Sequence, residues 1–264
     1  MKKIALKWYK KLNFPAEFDK EFNDVLDNFN REKLSCVDDF VMADYTAQEA
    51  LVYYLYFCEE MEAKYKEHGI SEEILLDTLS DILTWVYTYR KISGKLGLEE
   101  CDWLKLHLSF KLFKLGRLQF CFDTFREDCP QIGKKTGENV IAVHIPENGK
   151  LIIEDCLYSI EHAKEFFSKY FPEFSYEYFT CNSWLLDKDL EEMLGENSNI
   201  VKFAKLFNIL YQAESYAIIR YVFRWDATKE DLDKFEAKST LARKIKEKLA
   251  NGGKFNRGFG VIKK

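Results

Sequence analysis

The sequence predicts an α+β protein, a helical front of about a hundred residues followed by a mixed sheet with flanking helices. Three observations predict it. Residues 46–94 hold two long runs with apolar residues at helical spacing and clear capping signals. From Gly116 onward the texture changes to short alternating segments separated by Pro- and Gly-rich loops. Two of those segments, NVIAVHIP around His144 and YEYFTCNSWLL around Cys181, are joined by one amphipathic stretch. A strand, a crossover helix and a strand in one sheet form a right-handed parallel unit in nearly every case.

Each element follows from its residues. Thr46 and Glu49 make a capping box ahead of ALVYYLYFCEEMEAKYKEHG, and Gly69 supplies the left-handed stop. Ser71 caps a second helix whose apolar stripe runs through Ile74, Leu75, Leu79, Ile82, Leu83, Val86 and Tyr89 until Gly94 ends it. A third helix is expected over residues 98–113, carrying Trp103 and His107. RLQFCFDTF then alternates Leu118, Phe120 and Phe122 with other residues, and a long CPQIGKKTGEN loop links it to the strand at 139–146 as a hairpin. The crossover helix is expected over 154–170, with Leu157, Ile160, Phe167 and Phe171 on its stripe and Pro172 as its stop. It leads to a strand at 176–184. A short acidic helix begun by Asp187 comes next, then strands near 200–209 (which also fits a helix) and 216–225, a Lys-rich helix over 231–250 and a last strand near 255–262. The expected division is a helical domain at 1–97 and an α+β domain at 98–264, with the third helix at the junction.

Composition narrows the function. No apolar run reaches the roughly 18 residues that span a bilayer, and the N-terminus has no signal-peptide pattern, so a cytoplasmic protein is expected. Seven cysteines, an odd number without a C-x-x-C pair, give neither a disulfide framework nor a usual zinc spacing, and no metal is expected. The net charge of −5 argues against general nucleic-acid binding. It is unevenly spread: residues 231–264 hold ten Lys/Arg against four Asp/Glu, leaving −11 on the rest. That basic tail is either a solvated helix face or a surface for a phosphate-bearing ligand.

Parallel strands bring their carboxyl ends to one cleft, where ligands of open α/β sheets bind. His144 ends one strand, and Cys181, Asn182, Ser183 and Trp184 end the other. This is the best candidate site in the sequence.

The phrases HLSFKLFKLGRLQF, VHIPENG, CNSWLLD and NGGKFNRGFGV together resemble a bacterial family of acyltransferase-domain proteins. Members have a helical N-acyltransferase-type N-terminal domain and a C-terminal domain like the GCN5-related N-acetyltransferases. The resemblance covers essentially the whole chain. It implies a thioester donor, either acyl-coenzyme A or an acyl group on a carrier protein, and a small-molecule amine or amino acid as acceptor. In that fold the donor's pantetheine arm enters between two splayed parallel strands, here those of His144 and Cys181. By the resemblance, Ile145, Pro146, Asn148, Gly149, Asn182 and Trp184 line the donor site. The diphosphate loop of such enzymes reads Gln/Arg-x-x-Gly-x-Gly/Ala. This chain instead has Glu147-Asn148-Gly149-Lys150, with Glu154 and Asp155 in the next helical turn, and carboxylates there repel an anion.

Aminolysis of a thioester needs a base for the amine proton and donors for the oxyanion. His144 is the candidate base, its competing reading a half-buried histidine bound to a loop carbonyl. Cys181 is a candidate nucleophile if an imidazole holds it as thiolate, or a packed thiol otherwise. Ser183 and Asn182 are candidate donors to the oxyanion or the leaving thiolate. His107 reads as a residue reaching the cleft or as a satisfied core histidine, and Arg117 as an anion ligand or an ion-pair partner. An N-acyltransferase is the first reading of the whole. A non-catalytic acyl- or apolar-ligand-binding protein on the same fold is the second, and an interaction module built on the aromatic helices is the third.

Overall fold

The computed structural model describes every residue except Ser35. By internal contacts the chain divides into two units, Met1–Leu115 and Gly116–Lys264.

In the first unit, α1 (Lys2–Lys11) and α2 (Asp19–Asn28) precede the long α3 (Ala47–Glu67). α3 begins where its cap dictates. The Thr46 hydroxyl accepts the Glu49 N–H at 3.2 Å, and the Glu49 carboxylate accepts the Thr46 N–H at 2.9 Å. Its middle is apolar on nearly every side, and Leu51, Val52, Tyr53, Tyr54 and Leu55 are all fully buried, as befits a central helix. α1 is tied to it by the Trp8 indole, which donates to Glu59 at 2.8 Å, and by Lys7 paired with Glu59 and Glu62.

The second apolar run forms two helices rather than one, α4 (Glu72–Leu79) and α5 (Asp81–Ser93), meeting at Ser80. The break turns Asp81 inward. Only 3% exposed, its Oδ2 receives the Trp103 indole at 2.9 Å, the Trp85 indole at 3.3 Å and His107 Nε2 at 3.2 Å. Gly94 closes α5 at φ 73°. The third helix is also shorter than expected: α6 spans Cys101–Leu108, and residues 112–115 form β1 (Leu112–Leu115). The stop between them carries no glycine signal. Phe110 adopts φ 57° and the Lys111 N–H bonds back to the Leu106 carbonyl at 3.1 Å, a Schellman-type end with phenylalanine in the left-handed position. Ring contacts of Phe110 with Tyr65, His68 and Phe113 offset that strain.

The second unit opens with the hairpin of β2 (Leu118–Thr124) and β3 (Asn139–His144), antiparallel with Gln119 opposite His144. α7 (Ile153–Tyr170) then crosses to β4 (Tyr178–Ser183), which runs parallel to β3 as expected. The buried stripe of α7 is Cys156, Ser159, Ile160, Ala163, Phe166 and Phe167, while Leu157 is exposed. α8 (Asp189–Leu194), α9 (Asn199–Ala204), β5 (Asn208–Glu214), α10 (Ala217–Val222), α11 (Thr240–Ala250) and β6 (Asn256–Lys263) complete the chain. Within the second unit the strand order is β2-β3-β4-β6-β5. Among the described residues no helix is long and apolar enough to cross a membrane.

Three expectations here are corrected. The stretch near 200–209 is a helix followed by a strand. The run expected as a strand near 216–225 is helical because Ile218, Ile219 and Val222 lie at i, i+1 and i+4 and pack together on a cluster with Leu232, Ile245 and Phe255. The Lys-rich helix starts at Thr240, where the Ser239 hydroxyl accepts the Ala242 N–H at 3.0 Å.

β6 carries two glycines for a steric reason. A Cβ at Gly258 would lie 2.6 Å from the Leu186 carbonyl oxygen, and one at Gly260 would lie 2.8 Å from the Phe207 Cβ. The turn Trp184–Leu186 after β4 therefore lies directly on β6. Gly258→Ala is expected to lower stability by about 1–3 kcal/mol in urea unfolding, since the obstacle is main chain and cannot rotate away.

Candidate active site

Strand parity decides which side chains meet at the ends of β3 and β4. The parallel ladder contains two pairs, Ile141 with Phe179 and Ala142 with Thr180. Paired residues share a face and neighbours along a strand alternate. Val140, Ala142 and His144 therefore lie on one face with Thr180 and Asn182. Ile141 and Val143 lie on the other with Phe179, Cys181 and Ser183. No pair joins the strands beyond Ala142 and Thr180 among the described residues, although both continue, so they part after these residues. His144 and Asn182 face the same side across that opening.

The sequence expectation that His144 and Cys181 converge is not what the structure places. Cys181 is on the face covered by α7, where Phe122, the partner of Ile141, meets the Phe167 and Phe171 rings. It is 1% exposed, and burial pushes its thiol up to about 12. A thiol so raised stays protonated and shielded at neutral pH. Intact-mass analysis after iodoacetamide treatment at pH 8 is expected to show one alkylation, at Cys36, the one exposed cysteine of the described residues. Cys181→Ala is expected to leave turnover within a few-fold of the parent, because packing loss is its main effect.

The other candidates fall around this opening. The Ser183 hydroxyl accepts the Leu185 N–H at 3.2 Å and so caps the following turn. Trp184 is half-buried, 6.2 Å from the Tyr221 ring, and packs on the Leu190 and Ile218 cluster. Asn182 is exposed, beside Phe259, which stacks on Tyr211 at 5.0 Å. Ile145 is half-buried and Pro146 buried; Asn148 and Gly149 lie exposed in the loop to α7, with Gly149 at φ 82°. α7 starts without a side-chain cap and has Glu154 and Asp155 in its first turn. His107 is fully buried and committed to Asp81, which removes it as a cleft residue.

Two residues matter more than the sequence suggested. Gln119 is 1% exposed and sits opposite His144 on β2, where facing Cβ atoms are about 4.5–5.5 Å apart. Its signal was an uncharged polar residue inside the alternating run RLQFCFDTF, where Gln119 and Cys121 are both buried. Arg117 donates to the carbonyls of Pro146, Gly149 and Lys150, thereby bracing the loop after β3. A separate cleft of about 450 Å³ between residues 187–191 and 201–209 contains none of the expected site residues. Among the described residues no group of His, Cys, Asp and Glu is arranged to hold a metal.

A parallel pair that opens beyond two residue pairs, with a crossover helix starting beside the opening, is the strand arrangement of GCN5-related N-acetyltransferases. Comparison with known families agrees. Residues 112–262 match the GNAT-like C-terminal domain, and residues 15–110 match the N-acyltransferase N-terminal domain. The chain belongs to this family.

Solved structures match the fold over nearly the whole chain. An acyltransferase in complex with CoA and 10C-teicoplanin matches with a TM-score of 0.81 at 23% identity, covering 98% of this chain and 87% of that one. An acyltransferase in complex with decanoyl-CoA matches at 0.78 and 22% identity, covering 98% and 86%. An acyltransferase in complex with decanoyl-CoA and teicoplanin matches at 0.76 and 23% identity, covering 98% and 87%. No curated protein matches the chain.

Proposed function

We propose that this GNAT-like protein is an N-acyltransferase that moves an acyl group from a coenzyme A thioester to the amine of a small molecule or amino acid. The observation that carries this reading is the parting of β3 and β4 after Ala142 and Thr180, with His144 and Asn182 on one face beyond it. The complexes of the solved relatives with CoA and with decanoyl-CoA support the choice of donor.

The chemistry follows from the placement. The donor's amide-bearing arm lies in the opening, where main-chain N–H and C=O groups that lack a ladder partner receive it as a strand would be received. The acceptor amine approaches on the His144 face. Its nitrogen attacks the thioester carbonyl carbon while the imidazole takes the amine proton, and N–H groups facing the opening stabilise the oxyanion. The C–S bond then breaks, and the thiolate leaves and is protonated. Gln119, opposite His144, orients the ring, and Asn182 contacts the acceptor. Attack is direct, because Cys181 is on the wrong face and protonated.

Calorimetry with coenzyme A thioesters of increasing chain length, followed by mass detection of an amide product with a panel of amines, tests the reading. Binding and turnover are expected. Turnover with an acyl group on a carrier protein but not with acyl-CoA would reassign the donor. A second reading, a ligand-binding protein without catalysis, is favoured by Glu154 and Asp155 at the start of α7. Tight donor binding with no amide product from any amine would establish it.

A further inference from the structure

Arg117 stands immediately after the Gly116 turn, and its side chain reaches the segment that joins β3 to α7. Nε donates to the Lys150 carbonyl at 2.8 Å, and Nη2 to those of Pro146 and Gly149 at 3.1 and 3.2 Å. Its own N–H is fixed as well. It donates at 2.8 Å to the Ser159 hydroxyl, which donates at 2.8 Å to the Asp155 carbonyl within α7. Gly116 permits this approach, because at φ 73° a Cβ would sit 2.9 Å from that same hydroxyl. Nη1 is buried without a hydrogen-bond partner among the described residues. Burial works against the charge of this guanidinium, with Asp155 only partly offsetting it.

Taking a guanidinium partly out of water has a cost, which here is offset by hydrogen bonds to main-chain carbonyls. In a trans peptide the carbonyl and the next N–H point opposite ways, and this chain has no cis peptide among its described residues. Drawing in the carbonyls of Pro146, Gly149 and Lys150 thus turns the N–H groups of Glu147, Lys150 and Leu151 away from the guanidinium. Those of Lys150 and Leu151 have no protein acceptor among the described residues. Resting on the acyl-CoA reading above, we infer that Arg117 is the positioning residue of the donor site. It does with one side chain what a glycine-rich loop does elsewhere: it sets the end of the loop with the N–H groups of Lys150 and Leu151 outward to the donor diphosphate. Its charge, behind the loop, counters Glu154 and Asp155.

The test compares the parent protein with Arg117→Met and Arg117→Lys, using calorimetry with coenzyme A and with pantetheine, which lacks the diphosphate. Lysine keeps the charge but, as a point donor, cannot span three carbonyls. Both variants are expected to bind coenzyme A ~10- to 100-fold more weakly, the size of one or two charge-assisted hydrogen bonds, and pantetheine within about twofold of the parent. Without ligand, amide exchange at residues 147–151 is expected to speed up in both. Should Arg117→Met fail to fold, Arg117→Lys decides alone. Parent-like coenzyme A binding in Arg117→Lys, or an equal loss for pantetheine, would overturn the inference and leave the acyl-CoA reading standing. A parent protein that binds neither compound would remove that reading and the inference with it.

Discussion

His144→Ala is expected to lower turnover about 10²- to 10⁴-fold, the usual range for loss of a positioned general base. Binding of a non-reacting acyl-CoA analogue should change little, because the imidazole acts on the amine proton and not on the donor. The loss therefore appears in kcat and kcat/KM together, with donor Kd retained. Added imidazole should restore part of the rate. Asn182→Ala is expected to act mainly on acceptor KM. A His144→Ala protein that keeps full turnover while losing donor affinity would move the base elsewhere and leave His144 as a wall of the donor channel.

Asp81→Ala is expected to be the most damaging substitution for stability, by about 3–5 kcal/mol in urea unfolding, as for a buried charge partner removed from its donors. Two indoles and an imidazole converge on one oxygen of Asp81, which is itself only 3% exposed, so solvent is a poor replacement for the lost acceptor. Asp81→Asn should recover only part, because an amide brings an extra donor into a site already rich in them. Near-parent stability of Asp81→Ala would show that the three donors find other partners.

Most of the fold was legible in the sequence because local signals agreed with the tertiary ones. The Thr46 box, the Gly94 stop, the β2–β3 hairpin and the α7 crossover each had a residue that specified it. Two of the misses share one cause, an ending or break set by packing rather than by a marked residue. Phe110 ends α6 where glycine would have announced it, and Ser80 breaks a run whose apolar spacing continues through it. At the site, the elements and their parallel course were readable, but register was not. A single position of offset separates Cys181 from Asn182, and with it the face under α7 from the face of His144. Arg117 was visible as a cation, yet its three acceptors are main-chain carbonyls and leave no trace in side-chain identity.

The short β3–β4 ladder also has a mechanical meaning. The sheet of the second unit has two groups of strands, or leaves, β2–β3 and β4–β6–β5, joined as at a hinge by the pairs Ile141–Phe179 and Ala142–Thr180 and spanned by α7. Such a hinge makes the leaves separable as cooperative blocks, and amides at the join should exchange in an opening event of lower free energy than the leaf interiors. A donor lying in the opening would act as a rivet between the leaves. Saturating ligand should merge the two exchange classes into one, so occupancy would be readable from amide protection at Ala142 and Thr180 without any measurement of catalysis.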